Sequence, residues 1–180
     1  MQNDFVMSEG VLCVSRAMAT IPTIQRLAMY GRSQGWTILY VIRRHKADGS
    51  DCEAFRHHLF DEGNGYCVED SWGAQIVAPL TPTATDRMVV KRRFSGFDGT
   101  CLNHILKHSH ILRVVIAGTQ YPNCIRATAI DAKNLGYETV VCTDACSAQT
   151  EAIEEECIRE FTAREILCVN SSELCQQNDK

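Results

Sequence analysis

Residues 114–126 read Val114-Val115-Ile116-Ala117-Gly118-Thr119-Gln120-Tyr121-Pro122-Asn123-Cys124-Ile125-Arg126, an apolar β-branched stretch followed by a tight turn and a helix start. Pro122 suits the first helical position and Gly136, after Leu135, suits the stop, so Cys124 falls in the helix's first turn. Unpaired N–H groups and the positive dipole end there favour thiolate over thiol. The same N–H groups can accept the negative oxygen of a tetrahedral intermediate. That is the chemistry of a cysteine nucleophile, although a cysteine at such a turn taken alone is equally a structural thiol. Lys91 ends a second apolar run, with Val89-Val90 before it and Arg92-Arg93-Phe94 after it. A lysine at a strand's carboxyl end beside a helix-start cysteine would stabilise a thiolate further, while a solvated lysine is the bland alternative.

The elements that must position these residues follow from hydrophobic patterning. Continuous apolar runs at 36–42, 88–90, 111–117, 138–142 and 166–169 predict strands covered on both faces, hence parallel ones. The segments 17–33, 52–59, 99–107, 123–135 and 148–161 are suited to crossover helices, which gives an α/β fold with an open, mostly parallel sheet and helices on both faces. Residues 46–80 carry Asp48-Gly49, Gly63, Gly65 and Gly73 and predict a long excursion of the kind that walls a site. The tail 170–180 is polar and expected to be loosely held. In such a sheet ligands bind beyond the strands' carboxyl ends, where Lys91, 118–124 and 143–147 fall.

Composition fits one domain over 1–180: 45% hydrophobic and 22% charged residues, 18 Lys+Arg against 22 Asp+Glu, net charge −4. The basic residues are scattered apart from 43–46 and 91–93, which gives no footprint for nucleic acid or an anionic membrane, so the expected partner is a small-molecule substrate. No apolar run approaches the roughly 20 residues that span a bilayer, and the N-terminus lacks a signal-peptide pattern, so a cytoplasmic location is expected. The ten cysteines include no CxxC pair, and several sit in apolar runs, as in Val140-Val141-Cys142, so reduced packed thiols are expected.

Four motifs in order, MQNDF at 1–5, SWGAQIV at 71–77, VVKRRFSGFDGT at 89–100 and AGTQYPNCIRATAIDA at 117–132, resemble the isochorismatase-like cysteine hydrolases, the superfamily that also contains nicotinamidases. The resemblance covers essentially the whole chain and does not specify a substrate. It implies a catalytic Asp-Lys-Cys triad, with Cys124 as nucleophile and Lys91 as the lysine, and no organic cofactor. It also implies a cis peptide between Thr119 and Gln120, an oxyanion hole from the N–H groups of Gln120 and Cys124, and homodimers or homotetramers. Family members begin with an apolar strand running into Asp-x-Gln-x-Asp-Phe, and this sequence enters that pattern at its second residue. The resemblance therefore places the triad aspartate one position ahead of Met1, and the central first strand with it; Asp4 matches the pattern's second acid. A late start assignment, a truncated non-catalytic paralogue and rescue by another chain each account for that register.

Nicotinamidases of the superfamily carry a metal site of an aspartate and closely spaced histidines after the second strand. Here residues 43–51 contain one histidine, His45, and His57-His58 are adjacent rather than four apart, so no metal is expected and nicotinamide is disfavoured. Phe5, Trp72, Phe94, Tyr121 and Asn123 are candidate substrate-wall residues, with core packing the alternative for the aromatics. Arg43 and Arg92 are candidates for a fork on a substrate carboxylate. The expected function is hydrolysis of an amide C–N or vinyl-ether bond in a small metabolite through Cys124. The alternative is a non-catalytic ligand-binding or oligomerising member of the same fold.

Overall fold

The apolar runs become parallel strands. In a computed structural model, which describes residues 1–61 and 63–176, β1 (Leu39–Arg43) pairs in parallel with β2 (Arg87–Lys91). A second parallel sheet has the order β3 (Arg113–Thr119), β4 (Glu138–Ser147), β5 (Leu167–Val169). The single open sheet expected from the sequence is thus two sheets among the described residues, because β1 and β3 share no backbone pairing. A one-turn helix α1 (Asn3–Val6) opens the chain, and α2 (Ala17–Ser33) has the bounds expected for it. α3 (Leu102–His108), α4 (Arg126–Asn134) and α5 (Glu151–Ala163) follow.

Side-chain alternation along β4 builds a core on each face. Val140 and Cys142 meet Leu27 of α2 on one face, and Val141 and Cys146 meet Ala129, Cys157 and Phe161 of α4 and α5 on the other. The spacing of Cys157 and Phe161, one helical turn apart, gives α5 a single apolar stripe, and its start is capped by Thr150, whose hydroxyl accepts from Ile153 N–H at 3.4 Å. A third cluster joins Leu102 and Leu106 of α3 to Val89 of β2 and Ala132 of α4.

Three local expectations need correction. Residues 52–59 form only a short 3₁₀ helix, Ala54–Leu59, because none of those residues is buried and a short helix without an apolar face gains too little from packing. The helix expected from residue 123 is preceded by a wide turn, Tyr121–Ile125, in which Ile125 N–H reaches Gln120 C=O at 3.1 Å, and α4 begins at Arg126. The tail is better held than its polarity suggests: α6 (Ser171–Gln176) buries Leu174, and Asp144 accepts from Ser171 N–H at 2.7 Å and from its hydroxyl at 2.6 Å. Residues 177–180 lie outside the described residues. The nine cysteines from Cys13 to Cys168 are free thiols. Among the described residues no helix is long and apolar enough to cross a membrane.

Candidate active site

Strand register assembles the site. β1 and β2 run in step so that Arg43 lies opposite Lys91, two cations side by side at the carboxyl ends. Both are buried, Arg43 at 1% and Lys91 at 6% exposure. Gln2 fixes the end of β1: its amide donates to Arg43 C=O and accepts from Arg43 N–H, each at 2.7 Å, as a neighbouring strand would. The Lys91 ammonium donates to Phe94 C=O. Cys124 sits in the wide turn after β3, next to the Thr119–Gln120 peptide bond, which is cis.

The cations decide the state of the thiol. Burial alone would push the Cys124 thiol up, but the charges of nearby Lys91 and Arg43 outweigh it and hold the group below its ordinary value. Burial likewise pulls the Lys91 ammonium down, against the favourable Cys124 thiolate. Arg43 is steadied from behind by Glu53, which accepts from Nη1 at 2.6 Å, by Arg92 C=O at 3.0 Å and by the Tyr66 hydroxyl at 3.3 Å. Tyr66 in turn donates to Glu53 at 2.7 Å, and burial pushes its phenol up to about 12. Glu53 stays below the usual carboxylate range because Arg43 and Tyr66 together overcome its burial. Arg43 Nε and Nη2 are buried without a hydrogen-bond partner.

A cavity of about 270 Å³ opens over Cys124. Phe5, Phe94, Thr119, Gln120 and Asn123 line it with Cys124, where the sequence expected them; Asn123 Nδ2 donates to Gln120 Oε1 at 2.6 Å. The 3₁₀ helix Ala54–Leu59 completes the wall with Arg56, the N-terminal segment with Val11, Leu12 and Cys13, and the loop between β4 and α5 with Gln149; none of these segments carries an apolar period that would single them out. Two expected wall residues lie elsewhere. Tyr121 is fully buried against Phe161, with its hydroxyl on Thr143 C=O at 3.1 Å, because the wide turn directs it into the core. Trp72 is 47% exposed outside the cavity, its carbonyl taken by Asn3. Neither arginine considered for a substrate carboxylate lines the cavity. Arg43 is sealed beneath it, and Arg92 is held by Asp51 at 2.6 Å.

His45, the histidine of the expected metal region, is fully committed. Arg43 Nη1 faces its Nε2 at 3.4 Å, and a guanidinium only donates, so Nε2 accepts and Nδ1–H donates to Asp51 at 3.1 Å. Burial, reinforced by Arg43 and opposed by Asp51, pulls the imidazole below its ordinary value and keeps it neutral. A guanidinium stands where a dication would need room, so these residues do not fit a metal. Among the described residues no three His, Cys, Asp or Glu side chains converge as metal ligands.

Comparisons with known proteins show the family and the fold. The isochorismatase domain model matches residues 1–171. A probable inactive nicotinamidase of Arabidopsis thaliana is 38% identical over 156 residues, 85% of this chain and 80% of that protein. The crystal structure of an isochorismatase family protein from Desulfovibrio vulgaris superposes with a TM-score of 0.97 at 46% identity, covering 100% of this chain and 95% of that one. Pyrazinamidase of Pyrococcus horikoshii, solved in complex with zinc, gives a TM-score of 0.82 at 29% identity, covering 94% of each chain. Neither the family match nor the superposition shows the shortening that the motif register suggested. Sequence, fold and comparisons converge: the chain belongs to the isochorismatase family of hydrolases.

Proposed function

We propose that this protein hydrolyses a small amide through Cys124, and the observation that carries the reading is the sulfur held between Lys91 and Arg43 at the floor of a small cavity. The thiolate attacks the carbonyl carbon, and the developing oxyanion is received by the N–H groups of Gln120 and Cys124. Collapse expels the amine and leaves a thioester on Cys124, which water cleaves to the acid and the free thiolate. Lys91 and Arg43 hold the sulfur's negative charge at both ends of that cycle.

Proton transfer to the leaving amine needs a general acid, a role usually worth about 10²–10⁴-fold. The described carboxylates near the site are committed, Glu53 to Arg43 and Tyr66, and Asp4 to the N–H groups of Cys67 at 2.6 Å and Val11 at 3.4 Å. The backbone nitrogen of Met1 is buried within electrostatic reach of Cys124, Lys91 and Cys67. The second reading, a ligand-binding protein with an activated thiol and no turnover, is favoured by those committed carboxylates and by the resemblance to a probable inactive nicotinamidase.

The test combines iodoacetamide labelling with a panel of small amides assayed against Cys124→Ala. Fast selective labelling of Cys124 together with hydrolysis that the variant loses is the expected result. Selective labelling without hydrolysis supports the second reading, and hydrolysis that survives in Cys124→Ala removes the mechanism.

A further inference from the structure

Arg56 is the one charged side chain among the described residues that line the cavity over Cys124; no described Asp or Glu lines it. Its setting is unlike that of the other arginines near the site. Arg43 is paired with Glu53 and Arg92 with Asp51, whereas among the described residues no carboxylate pairs with Arg56. Its guanidinium is cradled by aromatic faces, with Cζ 4.9 Å from the centroid of Phe94, 5.3 Å from Tyr66 and 5.5 Å from Phe55. A single long contact, Nη1 to the Tyr66 hydroxyl at 3.5 Å, is its hydrogen bond. Stacking on three rings fixes the plane of the fork while leaving its other N–H groups unbonded.

An arginine oriented in this way, with no carboxylate partner among the described residues, is suited to bidentate capture of a carboxylate. Phe94 is shared with the buried Arg43, whose Cζ lies 5.4 Å from the ring centroid. The other polar lining, from Gln120, Asn123 and Gln149, is neutral and suits the amide end of a ligand. The cavity's volume of about 270 Å³ admits one small molecule. We propose that Arg56 anchors the carboxylate of the ligand, so that the substrate class is a small amide carrying a free carboxylate rather than a neutral amide. This rests on the reading of Cys124 as the reactive thiol over which the ligand sits.

The experiment is protection of Cys124 from iodoacetamide by two matched probes, succinamate and succinamide, which differ by a carboxylate against an amide. In the unmodified protein succinamate is expected to protect at about tenfold lower concentration than succinamide, the worth of one charge-assisted fork. Arg56→Met abolishes that difference and Arg56→Lys restores part of it, each variant being referred to its own labelling rate without probe. Added salt weakens protection by succinamate and leaves succinamide unaffected, a readout that needs no variant. Equal protection by the two probes, no protection by succinamate at its solubility limit, or a preference that survives in Arg56→Met would each overturn the proposal. Failure of Cys124 to label selectively in the absence of any probe would instead remove the nucleophile reading on which it rests.

Discussion

At the scale of single residues the site is governed by a small number of charges held out of water. Lys91 and Arg43 favour the Cys124 thiolate over its neutral form, so the pH at which iodoacetamide labelling is half-maximal should lie below that of an ordinary thiol. Lys91→Met is expected to raise that midpoint by about 1–3 pH units, with Lys91→Arg recovering part of the shift. Arg43 is costly to leave alone. Its partner Glu53 is itself buried, and Glu53→Ala strands a guanidinium that is 1% exposed. The expected loss is about 3–5 kcal/mol in urea unfolding, and an Arg43→Met, Glu53→Leu double variant should recover part of it, because two apolar side chains in place of a buried pair leave no unpaired charge.

At the scale of elements, segments with little regular structure carry the site and are tied down by specific polar contacts. The Asp4 carboxylate at the end of the chain's first turn holds Cys67 N–H and Val11 N–H, and Gly73 packs directly on that carboxylate, where a β-carbon would overlap it. Gly73→Ala is therefore expected to cost about 1–3 kcal/mol and to slow Cys124 labelling, since displaced Asp4 releases the two strands of wall it joins. A thermal melt paired with a labelling time course checks both. Thr150→Ala removes the cap of α5 and is expected to cost about 1 kcal/mol, read as a lower urea midpoint. The helices and strands were legible as periodicity. The wall residues Arg56 and Gln149 were not, because an exposed 3₁₀ turn and the loop after β4 carry no apolar period to read.

At the scale of the molecule, acid sensitivity follows from the carboxylates held below their ordinary range. Glu53, Asp51 and Asp144 are each kept ionised by partners that outweigh burial, Arg43 with Tyr66 in the first case, Arg92 with a backbone N–H in the second and Ser171 in the third. Such groups bind protons less readily folded than unfolded. Their contribution to stability is therefore complete above the unfolded carboxylate values and is lost as pH falls through the lower folded ones. These carboxylates by themselves leave the urea midpoint steady from neutrality down to about pH 4.5 and lower it below that, since unfolded Asp and Glu titrate near 3.9 and 4.3. His45 adds to the decline in a window of its own. Its folded value is depressed, so an unfolded histidine takes up a proton first as pH drops below about 6.5.

The sequence by itself determined the parallel α/β architecture, since continuous apolar runs between amphipathic segments permit little else, and the four motifs identified the family and the pair Cys124 and Lys91. It could not decide where Arg43 ends. An arginine at the end of an apolar run reads equally as a solvated surface group or a ligand fork, and the parallel register with β2, together with the Gln2 amide, is what turns it beneath Cys124. Tyr121 and Trp72 were candidate cavity walls, with core packing the alternative, because their segments were expected to converge on the sheet's carboxyl end. Backbone direction at the wide turn sent the first into the core, and the exposed loop left the second at the surface. Arg56 belongs to the same lesson, for its place over three aromatic rings depends on contacts between residues 55, 66 and 94 that only folding brings together.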